Sequence, residues 1–377
     1  MNILNNLDEL ISLLEKEIKK VKNADKVCII HHDDADGCCS AALMSILLFK
    51  LTNQFPELFP IRGPNNISRN MFSKLKIINP DFVFTLDVTI HPKKLSLFNG
   101  FILDHHMQNI PHGDTMLYIN PRSFEKVDEN VPPTSYIVYR LLKRFFPEER
   151  YGWIAAIGIT EDHRVELCKD IFLEVMEDYS KIFKVEKISQ EFVEKSVFGE
   201  LWDMVRSGRM IKDGEGAKIA VMALIECKDD PLKFINGVGT NSYLLKKFYE
   251  TTKKEIEKIL QDVLMKGKFY HDKKVLVYEA KFSKINSLTS FASDKLRQKY
   301  PDWIICVVGR DFRGQNKKIS IRLEQSRRDV NLVEIVNKIK EQMPKVKGGG
   351  HKSAVGVSLP KNDVDRFFKL FLSLISG

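Results

Sequence analysis

Three stretches of this chain are built alike: KVCIIHH (26–32), DFVFTLDV (81–88) and GFILDHH (100–106) are short apolar runs that stop on aspartate or histidine. Runs of this length, rich in β-branched and aromatic residues and apolar without alternation, read as strands buried on both faces, the pattern of a parallel sheet covered by helices. MLYIN (116–120) reads as a further strand. Residues 3–21 read as a first helix, and GCCSAALMSILLFK (37–50), TSYIVYRLLKRFF (134–146), YGWIAAIGIT (151–160) and KDIFLEVMEDYSKIF (169–183) as later ones. Strands alternating with helices predict an α/β fold. In such a fold, polar residues at the carboxyl ends of the strands share one edge of the sheet.

Farther along, NSYLLKKFYETTKKEIEKILQDVLMK (241–266) combines helical periodicity with many charges, the pattern of a helix joining two domains. Beyond it VLVYEAK, WIICVVGR, KISIRLE and AVGVSLP are strand-like, with helices predicted near 287–299, 331–343 and 361–375. The expected organisation is an N-terminal, mostly parallel sheet domain covered by helices (1–240), the connecting helix (241–266) and a smaller C-terminal α/β domain (267–377). The functional site is expected in the cleft between the two domains.

Charge divides the chain. Residues 1–230 carry 29 basic and 35 acidic side chains, a net of −6, whereas residues 231–377 carry 30 and 15, a net of +15. A basic segment of that kind attracts polyanions such as nucleic acid over a Debye length of about 8–10 Å. The competing reading is a solvated lysine-rich surface. The longest apolar stretch, Ala41 to Phe49, falls short of the roughly 20 residues that cross a bilayer, so no membrane is expected. The acidic, amphipathic first residues carry no secretion signal. Six cysteines without a C-x-x-C pair read as core residues of a reducing compartment, and the cytoplasm is the expected location.

The polar ends of the runs form clusters. In HHDDADG (31–37), His32, Asp34 and Asp36 occupy alternate positions, so an extended backbone projects all three to one side. Gly37 permits a tight turn into the following helix. Asp87 ends the next run, Asp104, His105 and His106 end another, and Asp162 and His163 close the GITEDH segment. Packing these carboxylates and imidazoles into one crevice is self-repulsive unless cations neutralise it. Oxygen and imidazole ligands without thiolate suit Mn²⁺, then Mg²⁺, and not structural zinc. The alternative, ordinary loop acids and helix caps, suffices for one cluster but must be invoked for all of them at once.

Laid in order, HDDADG (32–37), the aspartate of TLDVT, DHH (104–106) and the aspartate of GITED resemble the motifs of the DHH phosphoesterase family. GGGHKSAVG (348–356) resembles the glycine-rich motif of the DHH-associated domain, and Arg322 in KISIRLE matches its upstream arginine. The resemblance implies that His32, Asp34, Asp36, Asp87, His105 and Asp162 hold two Mn²⁺ ions (Mg²⁺ as the substitute), with Asp87 bridging. It further implies that His106 is aimed at the substrate phosphate and that Asp104 orients the histidines. Gly348, Gly349, Gly350, His351 and Arg322 would bind substrate. Two positions depart from the common pattern: His163 follows Asp162, and Val88 and Thr89 follow Asp87, where small residues are frequent. About 165–265 carries no motif.

His32 lies two residues before Asp34, and Ile30 occupies the position where short-oligonucleotide and cyclic-dinucleotide hydrolases commonly place histidine. This spacing resembles the RecJ-like nucleases, especially the archaeal type. The glycine-rich histidine motif separates the chain from family II pyrophosphatases and exopolyphosphatases. The implied activity is a Mn²⁺-dependent, single-strand-specific exonuclease on DNA or RNA, 5′ to 3′, using two metals to activate water. The alternative is a phosphodiesterase for short oligonucleotides, pAp or cyclic dinucleotides, and a third reading is a binding scaffold. Implied partners are single-stranded nucleic acid and replication or repair proteins of the GINS type. Arg310, Arg313, Lys317, Lys318, Arg327 and Arg328 are read as following the sugar-phosphate backbone, and Phe282, Phe291 and Phe312 as core or as stacking residues.

Overall fold

The computed structural model describes residues 3–63, 67–106, 113–124, 131–210, 214–280, 288–310, 316–324 and 330–375, the side chains of 3–6, 123–124, 310 and 351 excepted. The chain divides into two compact units, Met1–Tyr249 and Glu250–Gly377, the division falling inside the long helix Thr240–Lys266.

In the first unit the apolar runs form strands β1 (Val27–His32), β2 (Glu57–Ile61), β3 (Phe82–Leu86), β4 (Gly100–Leu103) and β5 (Met116–Ile119), in the order β2-β1-β3-β4-β5. Every pair is parallel. Successive side chains enter opposite cores, as strand geometry requires. Ile29, Phe84, Phe101 and Ile119 join the larger core with the helices Ala35–Thr52 and Thr134–Phe145, while Cys28, Ile30, Val83 and Ile102 join the smaller one with Leu75 of the helix Arg69–Ile78. Burial on both faces explains why these strands lack polar alternation. Among the described residues, the helix Ala35–Thr52 is the one long and apolar enough to cross a membrane, yet 78% of it is buried inside this fold. Its apolar circumference serves the core. Strand β2, ELFPI, is not among the expected strands: it contains Pro60, which reads as a strand breaker but is tolerated on the edge strand that β2 is.

The second unit is a six-stranded mixed sheet of β6 (Lys268–Tyr270), β7 (Val275–Glu279), β8 (Ile304–Arg310), β9 (Asn316–Arg322), β10 (Lys347–His351) and β11 (Ala354–Pro360), ordered β10-β11-β9-β8-β7-β6. Only β7 and β8 run parallel. Ile319, Ile321, Val355 and Val357 pack with the helices Leu332–Gln342 and Val364–Leu374. On the opposite face Ser320 meets Ser293 of the helix Leu288–Lys299 at 2.8 Å. The glycine-rich KGGGH is itself a strand, β10, at the edge of this sheet.

Candidate metal centre

Because β1, β3 and β4 are parallel, their carboxyl ends lie along one edge, and the polar residues after each apolar run arrive there together. His32 is the last residue of β1. Asp34 caps the following helix, its carboxylate accepting from the Gly37 N–H at 3.0 Å. Gly37 is required at this turn: a Cβ there would lie 2.4 Å from the His32 carbonyl oxygen. Asp36 is fully buried and accepts from the N–H groups of Thr134 (2.9 Å) and Ser135 (3.0 Å), at the N-terminus of another helix. Asp87 has φ 59°, in the left-handed region. Aspartate tolerates that conformation better than most residues. Asp162 ends the helix Gly152–Glu161, and His163 after it is also left-handed, with φ 55°.

Three overlapping groups result: His32, Asp34 and Asp87; Asp36, His105 and Asp162; Asp87, His105 and His106. The ligand atoms within each group lie within 4.8 Å of one another. Asp87 belongs to two groups, with Oδ2 3.7 Å from His32 Nδ1 and Oδ1 3.2 Å from His105 Nε2. His105 Nε2 is also 2.9 Å from Asp162 Oδ2, and His32 Nδ1 contacts Asp34 directly. All six residues that the family resemblance assigns to metal are thus brought together. Despite these short contacts, Asp87 Oδ1, Asp162 Oδ2, His32 Nδ1 and both ring nitrogens of His105 are buried and make no hydrogen bond of proper geometry among the described residues. Buried polar atoms are otherwise almost always paired, so a cluster of orphaned oxygen and imidazole atoms fits a pair of divalent cations.

The charge balance agrees. Burial alone would push the imidazoles of His32 and His105 down, but Asp34 and Asp87 beside the first, and Asp162 and Asp87 beside the second, hold both well above the usual histidine range. Burial raises Asp36, and the charges of Asp87 and Asp162 raise it further. In Asp162 burial acts upward, but His105 keeps the carboxyl below its ordinary value. Protons therefore do in the metal-free protein part of what cations would do, and ion binding has to release them.

A second layer of groups fixes the first. Asp104 is fully buried; burial acts to raise its carboxyl, and hydrogen bonds from His106 Nδ1 (2.7 Å) and the Thr89 hydroxyl bring it down to about 2. Asn120 Nδ2 donates to the His106 carbonyl at 2.9 Å and Arg122 Nε to the His105 carbonyl at 2.7 Å. A Cβ on Gly158 would lie 2.6 Å from Asp36 Oδ1, so this helix approaches only because the position is glycine. Sequence reasoning marks Thr89 only as a departure from the family pattern and misses Asn120, Arg122 and Gly158. Only Gly158, a glycine inside an apolar helix, carries a readable signal.

The residues assigned to substrate lie in the second unit. Arg322 Nε donates to Asp294 Oδ1 at 2.7 Å. Gly349 stands opposite Gly356 across β10 and β11, and a Cβ on either would meet nothing within 4 Å. Gly348 and Gly350 differ: a Cβ would strike the Gly356 carbonyl at 2.6 Å or the Ala354 carbonyl at 2.2 Å. Lys317 is buried on Glu279, Lys318 is exposed, and Phe291 is core. The side chains of His351 and Arg310, and residues Phe282, Phe312, Arg313, Arg327 and Arg328, lie outside the described residues.

An α/β fold with such a centre at its strand ends has the parts a metal-dependent phosphoesterase needs. The chain belongs to the DHH family: the profile "DHH family, N-terminal domain" matches residues 26–161 and the profile "DHHA1 domain" residues 272–377. No curated protein matches the chain at a significant level. Among solved structures it is similar to RecJ from Thermus thermophilus in complex with Mn²⁺, with a TM-score of 0.69, 16% identity and coverage of 98% of this chain and 54% of that one. It thus spans about half the length of that protein. It is also similar to the DHH domain of a member of a family of ribosomal proteins (TM-score 0.70, 16% identity, covering 99% and 92%) and to Cdc45 from Entamoeba histolytica (0.57, 10%, 99% and 99%). At these identities the likeness is one of fold.

Proposed function

We propose that the chain is a Mn²⁺-dependent exonuclease hydrolysing phosphodiesters of single-stranded DNA or RNA, 5′ to 3′. The observation that carries this reading is the meeting of orphaned, buried carboxylate and imidazole atoms around Asp87. Solved RecJ structures containing Mn²⁺ or Mg²⁺ support the choice of ions. His32, Asp34, Asp36, Asp87, His105 and Asp162 would hold the pair, which when bound would supply an activated water and offset charge developing on the phosphate. With Nδ1 engaged by Asp104, His106 keeps Nε2 for a phosphate oxygen, and its partly exposed ring is biased toward the proton-donating form. Direct attack by water is favoured over a covalent intermediate, because burial pushes the nearby thiols of Cys38 and Cys39 well up and leaves them poor nucleophiles.

In the second unit Gly349 and Gly356 offer a strip of backbone without side chains, and Arg322 is oriented by Asp294; both suit a phosphate or the end of a strand. The net +15 of residues 231–377 favours a polyanion. Replication or repair proteins of the GINS type, which the family resemblance implies, are the protein partners of this reading. Six free, buried cysteines support a cytoplasmic one. The test is purified protein with Mn²⁺, given 5′- and 3′-labelled single strands from trinucleotides to several tens of residues, beside cyclic dinucleotides and pAp. Successive release of mononucleotides from long strands, starting at the 5′ end, is expected. Activity restricted to the shortest substrates would replace this reading with the short-oligonucleotide phosphodiesterase.

A further inference from the structure

We propose that Arg209, from the stretch that carries no family motif, is a positioning residue of the metal centre: with Arg62 it grips Asp33 and so holds the neighbouring His32 and Asp34 in ligating geometry. The inference rests on the metal-pair reading above.

Asp33 lies between two ligand residues and is 3% exposed. Its backbone N–H continues the β1–β2 ladder to the Ile61 carbonyl at 3.0 Å. Its carboxylate is taken from two sides, Arg62 Nε lying 2.7 Å from Oδ2 and Arg209 Nη2 3.2 Å from Oδ1. Arg62 Nη2 also donates to the Arg209 carbonyl at 3.2 Å, closing a ring of contacts between the metal loop, the end of β2 and the 208–210 turn. That turn is sterically set: a Cβ on Gly208 would lie 2.4 Å from the Gly216 carbonyl oxygen. Arg209 Nε and Asp33 Oδ1 are buried with no hydrogen-bond partner among the described residues, so Arg209 meets Asp33 as an ion pair, with the charges of Asp34 and Glu161 also facing the guanidinium.

The sign of the effect separates a brace from a bare charge. A guanidinium beside a cation site repels the cation, so a residue acting through charge alone would weaken metal binding, and its removal would tighten it. A brace predicts the opposite. Groups that orient metal ligands typically change affinity by about 10–100-fold when lost.

The experiment is a Mn²⁺ titration of the full chain followed by the electron paramagnetic resonance signal of the free ion. Asp34→Asn and Asp162→Asn serve to mark which ion belongs to which ligand group. Arg209→Met is expected to weaken the ion of the His32 group about 10–100-fold and leave the other unchanged. Asp33→Asn should do the same, and the double variant should lose no more than either alone, since the two act as one unit. Arg209→Lys should fall short of the parent, because an ammonium is a point charge on a flexible stem and fixes a carboxylate less firmly than a guanidinium. Unchanged or tighter binding in Arg209→Met, or full rescue by lysine, would overturn the brace. So would equal loss of both ions together with a lowered melting temperature. A parent chain that takes up no Mn²⁺ would instead remove the centre itself, and the brace with it.

Discussion

Gly158 is where a single carbon atom decides the most. Alanine favours a helix over glycine by about 1 kcal/mol, yet its Cβ would press on Asp36 Oδ1 and on Ser135 Oγ, 2.6 and 2.3 Å away. Gly158→Ala should therefore lose most Mn²⁺ binding and turnover despite its better helix propensity; parent-like binding would show that Asp36 has room to move. Asp87→Asn keeps the side-chain shape and the tolerance for φ 59° but removes the anion shared by two ligand groups. Turnover should fall more than about 100-fold with little change in melting temperature, whereas near-normal turnover would contradict the shared role. His31 reports on pH. It is fully buried, donates Nδ1–H to the His32 carbonyl, and burial lowers it to about 4. The unfolded chain binds that proton near about 6.5, so the unfolded state holds more protons between these values and stability falls as pH drops through them. In metal-free protein, His31→Gln should lose less stability than the parent across this window, measured by urea unfolding; equal losses would show that His31 is not the titrating group.

Among elements, β10 and β11 separate folding from binding. Gly349 and Gly356 face open space, so valine at either position should leave the melting temperature nearly unchanged while raising KM for oligonucleotides. Gly350, with φ 149° and the Ala354 carbonyl in the way, should instead lower stability when replaced. An unchanged KM in Gly356→Val would take the strip out of the substrate site. The strands of the two sheets differ in what the sequence makes readable. β1, β3 and β4 are legible because an apolar run ends on the very residues that ligate, so the fold signal and the chemical signal coincide. β2 hides behind Pro60 and β10 behind glycines that carry no apolar signature. Asn120, Arg122, Thr134 and Arg209 are not legible at all, since each acts through a contact with a distant segment that only the folded chain creates.

At the scale of the whole molecule, the sign of charge changes along the chain, from −6 over residues 1–230 to +15 over 231–377. If the basic half engages phosphates, affinity of the Asp87→Asn chain for a single-stranded oligonucleotide should fall linearly in log–log form with salt, with a slope of about −0.7 per phosphate contacted. Fluorescence anisotropy would read it, and a flat response would leave the lysines as solvated surface. The central claim is tested most directly by anomalous diffraction from crystals soaked in Mn²⁺. Two peaks about 3.5–4 Å apart are predicted, one against His32 and Asp34, the other against Asp36, His105 and Asp162, with Asp87 touching both. Manganese found elsewhere, or no ordered ion among these residues, would contradict it.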